Sequence, residues 1–259
     1  MRDASTIYAI GDVHGRSDLL DRIVAFVQQD ALNRECRPLV FFLGDIVDKG
    51  PDSCGAMKIV CDTIQRWPGS RLILGNHDYM FRDALTVQRH DILKWLLRNG
   101  GQETLASYSR TPEYDPSEIL ISIRDDFPEH VRVLHEASLI ETFGPYGFVH
   151  AGIDPAVPIP EQQLPDCIQI RSRFLDHVGI LSHVIVHGHT PVTPPRPVIT
   201  ENRISLDTHA WDTDILSMAT FDIARETIEF FSTDEYGSVV QVEPVCIDRG
   251  LGTAWTQMR

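Results

Sequence analysis

Short apolar runs, each followed by glycine or by a polar cluster, are the main pattern along this 259-residue chain. The runs occupy residues 7–10, 39–43, 71–74, 147–149 and 183–186. A short apolar run bounded by turn signals is typical of a buried strand. We therefore predict five short strands, each ending in a sharp turn.

Two amphipathic stretches separate the first three predicted strands. Apolar residues within 19–27 and 56–64 have helical spacing. Ser17 is placed to cap the first helix, the second begins near Asp52, and Trp67-Pro68-Gly69 ends it. Strand, helix and strand in succession predict a parallel sheet core.

Residues 79–140 have a different pattern. Their apolar positions again have helical spacing, but residues 99–101 interrupt it and residues 111–116 are typical of a loop. We predict a mostly helical insertion that covers one side of the strand ends. Such a cap either selects the substrate or only buries the sheet, and the sequence leaves both open.

The second half begins with a proline-rich connection and a helix predicted over 168–178. Further strands are predicted over 184–186, 203–206, 217–223 and 227–232. Strands without intervening helices favour a second, more antiparallel sheet. The predicted fold class is α/β, α+β in places: a two-sheet β sandwich flanked by helices, in one domain of residues 1–259. Residues 239–259 show no strong periodicity and receive no predicted role.

The chain is acidic, with a formal net charge of −14 and a pI of about 5.1. Non-specific binding to nucleic acid or to a membrane needs a basic surface, so neither partner is expected. An anionic substrate would have to be attracted locally. Bound divalent cations supply such a local field.

Cysteine content and the absence of targeting signals favour a cytoplasmic protein. The five cysteines are odd in number and form no C-x-x-C pair, which favours a reducing compartment. We expect no membrane span, because no apolar stretch approaches the required length. The first strand begins too early for a signal peptide.

Residues with ligand chemistry follow the predicted strands. Four motifs carry them: GDVHG at 11–15, GDIVDKG at 44–50, GNHD at 75–78 and HGHT at 187–190, with His150 after a fifth strand. The carboxyl ends of parallel strands meet at one edge of a sheet. A mixed set of nitrogen and oxygen ligands there suits Mn, Fe or Zn, and the pattern indicates a metal-dependent hydrolase.

This series resembles the phosphoprotein phosphatase group of the calcineurin-like metallophosphoesterases, over residues 7–207. Bacterial and phage serine/threonine phosphatases and symmetrical diadenosine tetraphosphatases belong to that group. The resemblance implies a metallophosphoesterase-like fold and two divalent metal ions, manganese first, with iron or zinc as alternatives. It further implies direct attack on phosphorus by a hydroxide that bridges the two ions.

The resemblance also assigns residues to roles. The implied metal ligands, with the third bridging both ions, are Asp12, His14, Asp45, Asn76, His150 and His189. His77 is the implied proton donor, oriented by Asp48. Lys49, where the family usually has arginine, and Arg171 are the implied phosphate contacts. His187 is expected to support His189 from behind, and His209 either reaches the site or fills its rim.

Three functional hypotheses follow. The first is hydrolysis of phosphoserine and phosphothreonine in proteins, with small phosphomonoesters as adventitious substrates. The second is hydrolysis of diadenosine tetraphosphate or another nucleoside polyphosphate; Asp78 favours it slightly, because protein phosphatases commonly have glutamate there. The third is an inactive phosphate-binding module, which is disfavoured because no implied ligand is missing. The sequence does not indicate an oligomeric state.

Overall fold

Two sheets face each other across a shared apolar core in the computed structural model, which describes residues 5–87 and 90–247. Within these residues, the first sheet contains β1 (Ser5–Ile10), β2 (Arg37–Phe42), β3 (Arg71–Leu72), β9 (Ser217–Asp222), β10 (Thr227–Thr233) and β11 (Val239–Gln241). Its strand order is β11-β10-β9-β1-β2-β3. The predicted parallel core is confirmed for β1, β2 and β3, and the remaining pairs are antiparallel.

The second sheet has the order β12-β7-β8-β6-β5-β4. Its strands are β4 (Ile140–Phe143), β5 (Tyr146–Val149), β6 (Val184–His187), β7 (Val198–Ile199), β8 (Arg203–Ser205) and β12 (Val245–Cys246). Parallel pairs join β5, β6 and β8. The carboxyl ends of these strands therefore lie at one edge.

Strand β1 shows how its side chains divide between two cores. Tyr8 and Ile10 pack with the helices on one face, whereas Ile7 and Ala9 face the second sheet. All four are fully buried. Alternate residues of a strand point to opposite faces, so a strand buried on both faces is apolar throughout.

Helices flank the sheets. The described helices are α1 (Ser17–Arg34), α2 (Ser53–Arg66), α3 (Asn76–Thr86), α4 (His90–Arg98), α5 (Gly101–Tyr108), α6 (Pro116–Asp126), α7 (Pro128–Glu136), α8 (Leu164–Gln169), α9 (Ser172–Leu175) and α10 (Ala210–Thr213), with a 3₁₀ turn at Ile159–Glu161. The segment 79–140 is mostly helical, as predicted. Its role as a cap stays a prediction. In the part of the chain that is described, no helix combines the length and apolar character of a membrane span.

Three local predictions are wrong. Ser17 does not cap α1: Arg16 holds the N-cap position, and the Ser17 hydroxyl donates to Asp52 Oδ2 at 2.6 Å. The predicted helix 168–178 is broken at Ile170 and Arg171, which separate α8 from α9.

The third wrong prediction concerns the allocation of strands to sheets. Strands β9 and β10 extend the first sheet beside β1 and do not join the second. Periodicity predicts that a strand exists but not which strand it pairs with, because pairing depends on distant residues.

The C-terminal stretch contributes to both sheets. β11 adds an edge strand beside β10, and β12 adds one beside β7. Of the segment 239–259, residues 248–259 lie outside the described residues.

Candidate metal centre

The strand ends bring most of the predicted ligands together at one edge of the sandwich. The loops after β1 and β2 are joined by hydrogen bonds from the backbone N–H groups of Val13 and His14 to the carbonyl of Asp45, at 3.1 and 2.8 Å. Gly188 follows β6, and a Cβ atom there would lie 1.9 Å from Asp12 Oδ1. Only glycine permits this close approach of the backbone to the carboxylate.

Asp45 lies at the centre of the cluster. Its Oδ2 is 3.5 Å from His14 Nε2, and its Oδ1 is 3.4 Å from His150 Nε2. Two groups of potential ligand atoms, each within 4.8 Å of one another, share this carboxylate: Asp45 with His14 and His77, and Asp45 with His150 and His189. Asp45 is thus the residue positioned to bridge two cations.

The remaining predicted ligands lie beside these groups. Asn76 Oδ1 is 3.1 Å from His150 Nε2, and Asp12 Oδ2 accepts a hydrogen bond of 3.0 Å from the His189 backbone N–H. His189 Nε2 is buried and has no hydrogen-bond partner among the described residues. A buried polar atom without a partner is costly, and a metal ligand bond would satisfy it.

Burial and neighbouring charges shift the pKa values of the two carboxyl groups at the site, Asp45 and Asp12. Burial opposes ionisation of Asp45, but His150, His77 and His14 outweigh it and hold the pKa of this carboxyl well below its usual range. Burial and the neighbouring Asp207 raise the pKa of Asp12 well above its usual range.

The pKa values of His150 and His189 are shifted in opposite directions. For His150, burial favours the neutral ring, but the Asp45 carboxylate raises the pKa to about 10. Burial, followed by the charge of His150, lowers the pKa of His189 to about 3. A metal binds only the neutral imidazole, so metal binding to His150 would be accompanied by release of a proton.

The donor set fits two divalent cations. It combines carboxylate, amide oxygen and imidazole nitrogen, and its members are buried except for His189, which is half-buried. Such ligands suit Mn, Fe and Zn. The His150 and His14 rings each have their Nδ1 atom next to a backbone carbonyl, Leu43 O at 2.7 Å and Val47 O at 2.9 Å. These contacts fix the tautomer and direct Nε2 of each ring toward Asp45.

His77 and Asp48 form a pair next to this cluster. His77 Nδ1 is 2.7 Å from Asp48 Oδ2, and Asp48 is fully buried. Burial favours a neutral His77 ring, but Asp45 and then Asp48 outweigh it and raise the pKa of His77. The Trp95 ring of α4 packs against His77 with 5.3 Å between ring centres.

The two predicted phosphate contacts lie on different sides of the cluster. Lys49 Nζ is 3.0 Å from His14 Nε2 and lies 5.8 Å from the ring centre of Trp211. Arg171 is exposed, and among the described residues its guanidinium has no hydrogen bond or ion pair. Its charge nevertheless contributes to the lowered pKa of His189, so it lies near that ring. Arg173 differs, because it pairs with Asp154 and Asp166.

The remaining predicted residues take supporting positions. His187 Nε2 lies 2.8 Å from Ser205 Oγ, and its Nδ1 lies 2.9 Å from the Gly188 carbonyl oxygen. Its support of His189 stays a prediction that would act through Gly188. His209 lies at the rim, where its ring packs edge-on against Trp211 with 4.9 Å between centres.

Both carboxylate oxygens of Asp78 accept hydrogen bonds from the backbone next to the ligand cluster. Its Oδ1 accepts from the Ile46 N–H at 2.9 Å, and its Oδ2 accepts from the Gly75 N–H at 3.2 Å. Burial, followed by the charge of Asp45, raises its pKa to about 6. The carboxylate holds the loop after β2 against the start of α3, so its contacts do not discriminate between substrates.

Three residues next to the site were not singled out from the sequence: Thr104, whose hydroxyl donates to Asp48 Oδ1 at 2.7 Å, Trp95 beside His77, and Trp211 beside Lys49. Thr104 and Trp95 lie on α5 and α4, and their positions in a helical segment carry no motif that marks them. Trp211 closely follows the Asp207-Thr208-His209 segment, and this nearness in the sequence was the signal that could have placed it beside the site.

Fold and site together define a metal-dependent hydrolase. The calcineurin-like phosphoesterase profile matches residues 5–218, which is most of the chain. The chain belongs to this family and is a phosphoric ester hydrolase, so the predicted family resemblance is confirmed.

Curated relatives have two kinds of name. An asymmetrical bis(5'-nucleosyl)-tetraphosphatase PrpE of Halalkalibacterium halodurans is 26% identical over 77% of this chain and 83% of its own length. Serine/threonine-protein phosphatase 1 of Salmonella typhimurium is 26% identical over 72% of this chain and 79% of its own. A symmetrical bis(5'-nucleosyl)-tetraphosphatase of Delftia acidovorans is 28% identical over 63% of this chain and 55% of its own.

Solved structures share the fold at low identity. A candidate diadenosine tetraphosphatase has a TM-score of 0.54 at 18% identity, covering 94% of this chain and 95% of its own. A cold-active protein-tyrosine phosphatase from Shewanella has a TM-score of 0.54 at 15% identity, covering 94% and 83%. These similarities concern the fold alone.

Proposed function

We propose that the protein hydrolyses phosphoserine and phosphothreonine monoesters, using two divalent ions at the edge of the sandwich. The observation that carries the proposal is the buried carboxylate of Asp45, whose Oδ2 lies 3.5 Å from His14 Nε2 and whose Oδ1 lies 3.4 Å from His150 Nε2, next to the hydrogen-bonded His77–Asp48 pair. Two bound ions would activate water and neutralise the phosphoryl oxygens.

The residues of the chain would supply the remaining steps. The cationic side chains of Lys49 and Arg171, on opposite sides of the cluster, would bind the anionic phosphoryl group. Because His77 Nδ1 is bonded to Asp48, Nε2 is the nitrogen left to hold a proton for the departing alkoxide. Such general acid help typically contributes about 10²- to 10⁴-fold in rate.

Asp45→Asn tests the chemistry. The variant should lose bound manganese and phosphatase activity together, because a neutral amide cannot bridge two cations. Asp62→Asn is the matched control, since Asp62 is exposed and pairs only with Lys58 in the described structure. An Asp45→Asn enzyme that kept two ions per chain and full turnover would contradict the proposal.

A nucleoside polyphosphate is the second candidate substrate. Relatives named tetraphosphatases support it, as does Trp211, a residue that is 37% exposed and lies beside Lys49. An exposed aromatic ring next to a cation is suited to stacking with a base while the cation contacts phosphate. The same arrangement accommodates a peptide side chain, so the choice needs a direct comparison.

The comparison uses manganese-loaded enzyme with a phosphoserine peptide and with diadenosine tetraphosphate. A higher kcat/KM for the peptide supports the first proposal, and a strong preference for the dinucleotide overturns it. For a dinucleotide enzyme, Trp211→Ala should raise KM for the dinucleotide about tenfold, whereas Trp211→Phe should not. The KM for the peptide should change little in both variants.

Further proposals complete this assignment. Manganese is the proposed metal, with iron or zinc as alternatives, and the proposed partner is a phosphoprotein or a phosphorylated small molecule rather than nucleic acid or a membrane. The proposed location is cytoplasmic, which the five free cysteines support. Residues 1–259 are proposed to form one domain, with 79–140 capping the metal edge.

A further inference from the structure

We propose that Thr104 is a positioning residue that orients the His77–Asp48 pair for proton donation. This inference rests on the proposed phosphoesterase function. Thr104 lies on α5 within the helical segment 79–140, and it is fully buried. The proposal gives this segment a part in the chemistry, beyond covering the sheet.

The hydroxyl of Thr104 contacts Asp48 twice. It accepts a hydrogen bond from the Asp48 backbone N–H at 2.8 Å, and it donates to Asp48 Oδ1 at 2.7 Å. The second carboxylate oxygen, Oδ2, lies 2.7 Å from His77 Nδ1. A carboxylate held at both oxygens has one orientation, so the Thr104 hydroxyl determines the direction from which Asp48 meets the imidazole.

Ser53 completes the contacts of this hydroxyl. Its Oγ lies 3.0 Å from Thr104 Oγ1 and accepts from the Asp48 N–H at 3.1 Å. Because the Thr104 proton goes to Asp48 Oδ1, Ser53 is the donor in the contact between the two hydroxyls. The proton positions around Asp48 are therefore fixed by a closed set of buried hydrogen bonds.

The backbone of the Asp48 loop needs this support. Asp48 and Lys49 both have left-handed backbone conformations, with φ values of 73° and 69°. Non-glycine residues rarely adopt this conformation unless their surroundings impose it. The start of α5 imposes it twice, through Thr104 and through a 3.0 Å hydrogen bond from the Lys49 N–H to the Gly100 carbonyl.

The effect of a misplaced His77–Asp48 pair should depend on the leaving group of the substrate. A phosphoserine alkoxide needs a proton from His77 as its P–O bond breaks, whereas p-nitrophenolate leaves without one. A misplaced His77–Asp48 pair therefore slows the alkyl ester and spares the aryl ester. A purely structural role for Thr104 would slow both substrates equally.

The test uses Thr104→Val, which keeps the shape of the side chain and removes the hydroxyl. We expect kcat for a phosphoserine peptide to fall about 10- to 100-fold, with less than about a threefold change for p-nitrophenyl phosphate. Thr104→Ser should restore the peptide rate. Thr220→Val is the matched control, because the Thr220 hydroxyl is buried without a hydrogen-bond partner among the described residues.

A double-mutant cycle distinguishes an effect that acts through His77 from a general disturbance of the structure. In a His77→Asn background, Thr104→Val should cause no further loss of peptide turnover, because the residue through which it acts is gone. Equal losses in both backgrounds, or equal losses for both substrates, overturn the proposal. If Thr104→Val does not fold, Thr104→Ala takes its place in the same cycle.

A second readout does not depend on activity. In ¹⁵N-labelled protein, the His77 Nδ1–H signal should change in Thr104→Val and return in Thr104→Ser. An unchanged signal contradicts the proposal. If the wild-type enzyme hydrolyses neither ester, the proposed function fails, whereas an active enzyme insensitive to Thr104→Val refutes only the positioning role.

Discussion

Single residues determine the geometry of the candidate metal centre at the strand ends. Gly188 brings the backbone after β6 against the Asp12 carboxylate, and Asp45 is shared by two groups of ligand atoms. A substitution at such a position directly alters the geometry of the candidate ligands, because backbone atoms and ligand side chains are in contact there.

Gly188→Ala should impair metal binding without unfolding the protein. The added Cβ would lie 1.9 Å from Asp12 Oδ1, so the carboxylate or the loop must move. We expect the manganese affinity to fall at least about tenfold, as is typical when a residue that supports a metal ligand is changed. Isothermal titration of the apo-protein measures it, with Gly179→Ala as the control, since the added Cβ would meet only the ring of the His177 side chain.

His77→Asn should separate metal binding from proton donation. The variant should retain its metal content but lose about 10²- to 10⁴-fold of its turnover of an alkyl phosphate. Metal analysis and steady-state kinetics on the same preparation check both. Near-normal turnover would remove the acid role from His77.

At the scale of elements, helix packing buries a titratable group that is not part of the candidate metal centre. His130 of α7 is buried within the helical segment 79–140, and its Nδ1 is 2.8 Å from the Tyr108 hydroxyl of α5. Burial lowers the pKa of His130, although Glu129 and Asp62 oppose this shift and Lys58 adds to it. The folded protein therefore binds this proton less readily than the unfolded chain.

The folded protein should lose stability in acid for this reason. A depressed histidine pKa contributes stability that is present above the unfolded value of about 6.5 and is lost as the pH falls below it. His130→Gln should flatten the fall in unfolding free energy between pH 7.5 and pH 5.5. His135→Gln, on the exposed face of α7, is the matched control; an identical pH dependence in all three proteins would refute the prediction.

At the scale of the whole molecule, the candidate metal ligands come from both sheets. Asp12 and Asp45 follow strands of the first sheet, whereas His150 and His189 follow strands of the second. Two ions bound there would link the sheets at the edge where the loops converge.

Manganese should therefore stabilise the fold strongly. A ligand that binds only the folded state adds about 2.7 kcal/mol at a hundredfold excess over its Kd. The Tm should rise with manganese concentration in the wild type and in Thr220→Val. In Asp45→Asn the rise should disappear, and a similar rise there would show that the ions bind elsewhere.

The sequence by itself determined the local pieces of this protein. Glycine or a potential ligand after each apolar run predicted the strand ends and the candidate ligand residues, because turn chemistry and strand length are local properties. The family resemblance rests on the same residues.

Only the tertiary structure decided how those pieces combine. It placed β9 and β10 beside β1, broke the helix at Arg171, and brought Thr104 and Trp95 against the His77–Asp48 pair. These outcomes depend on contacts between residues far apart in the chain, and local periodicity does not encode them. The motifs therefore identify the residues that carry the chemistry, whereas the orientation of their side chains depends on tertiary packing.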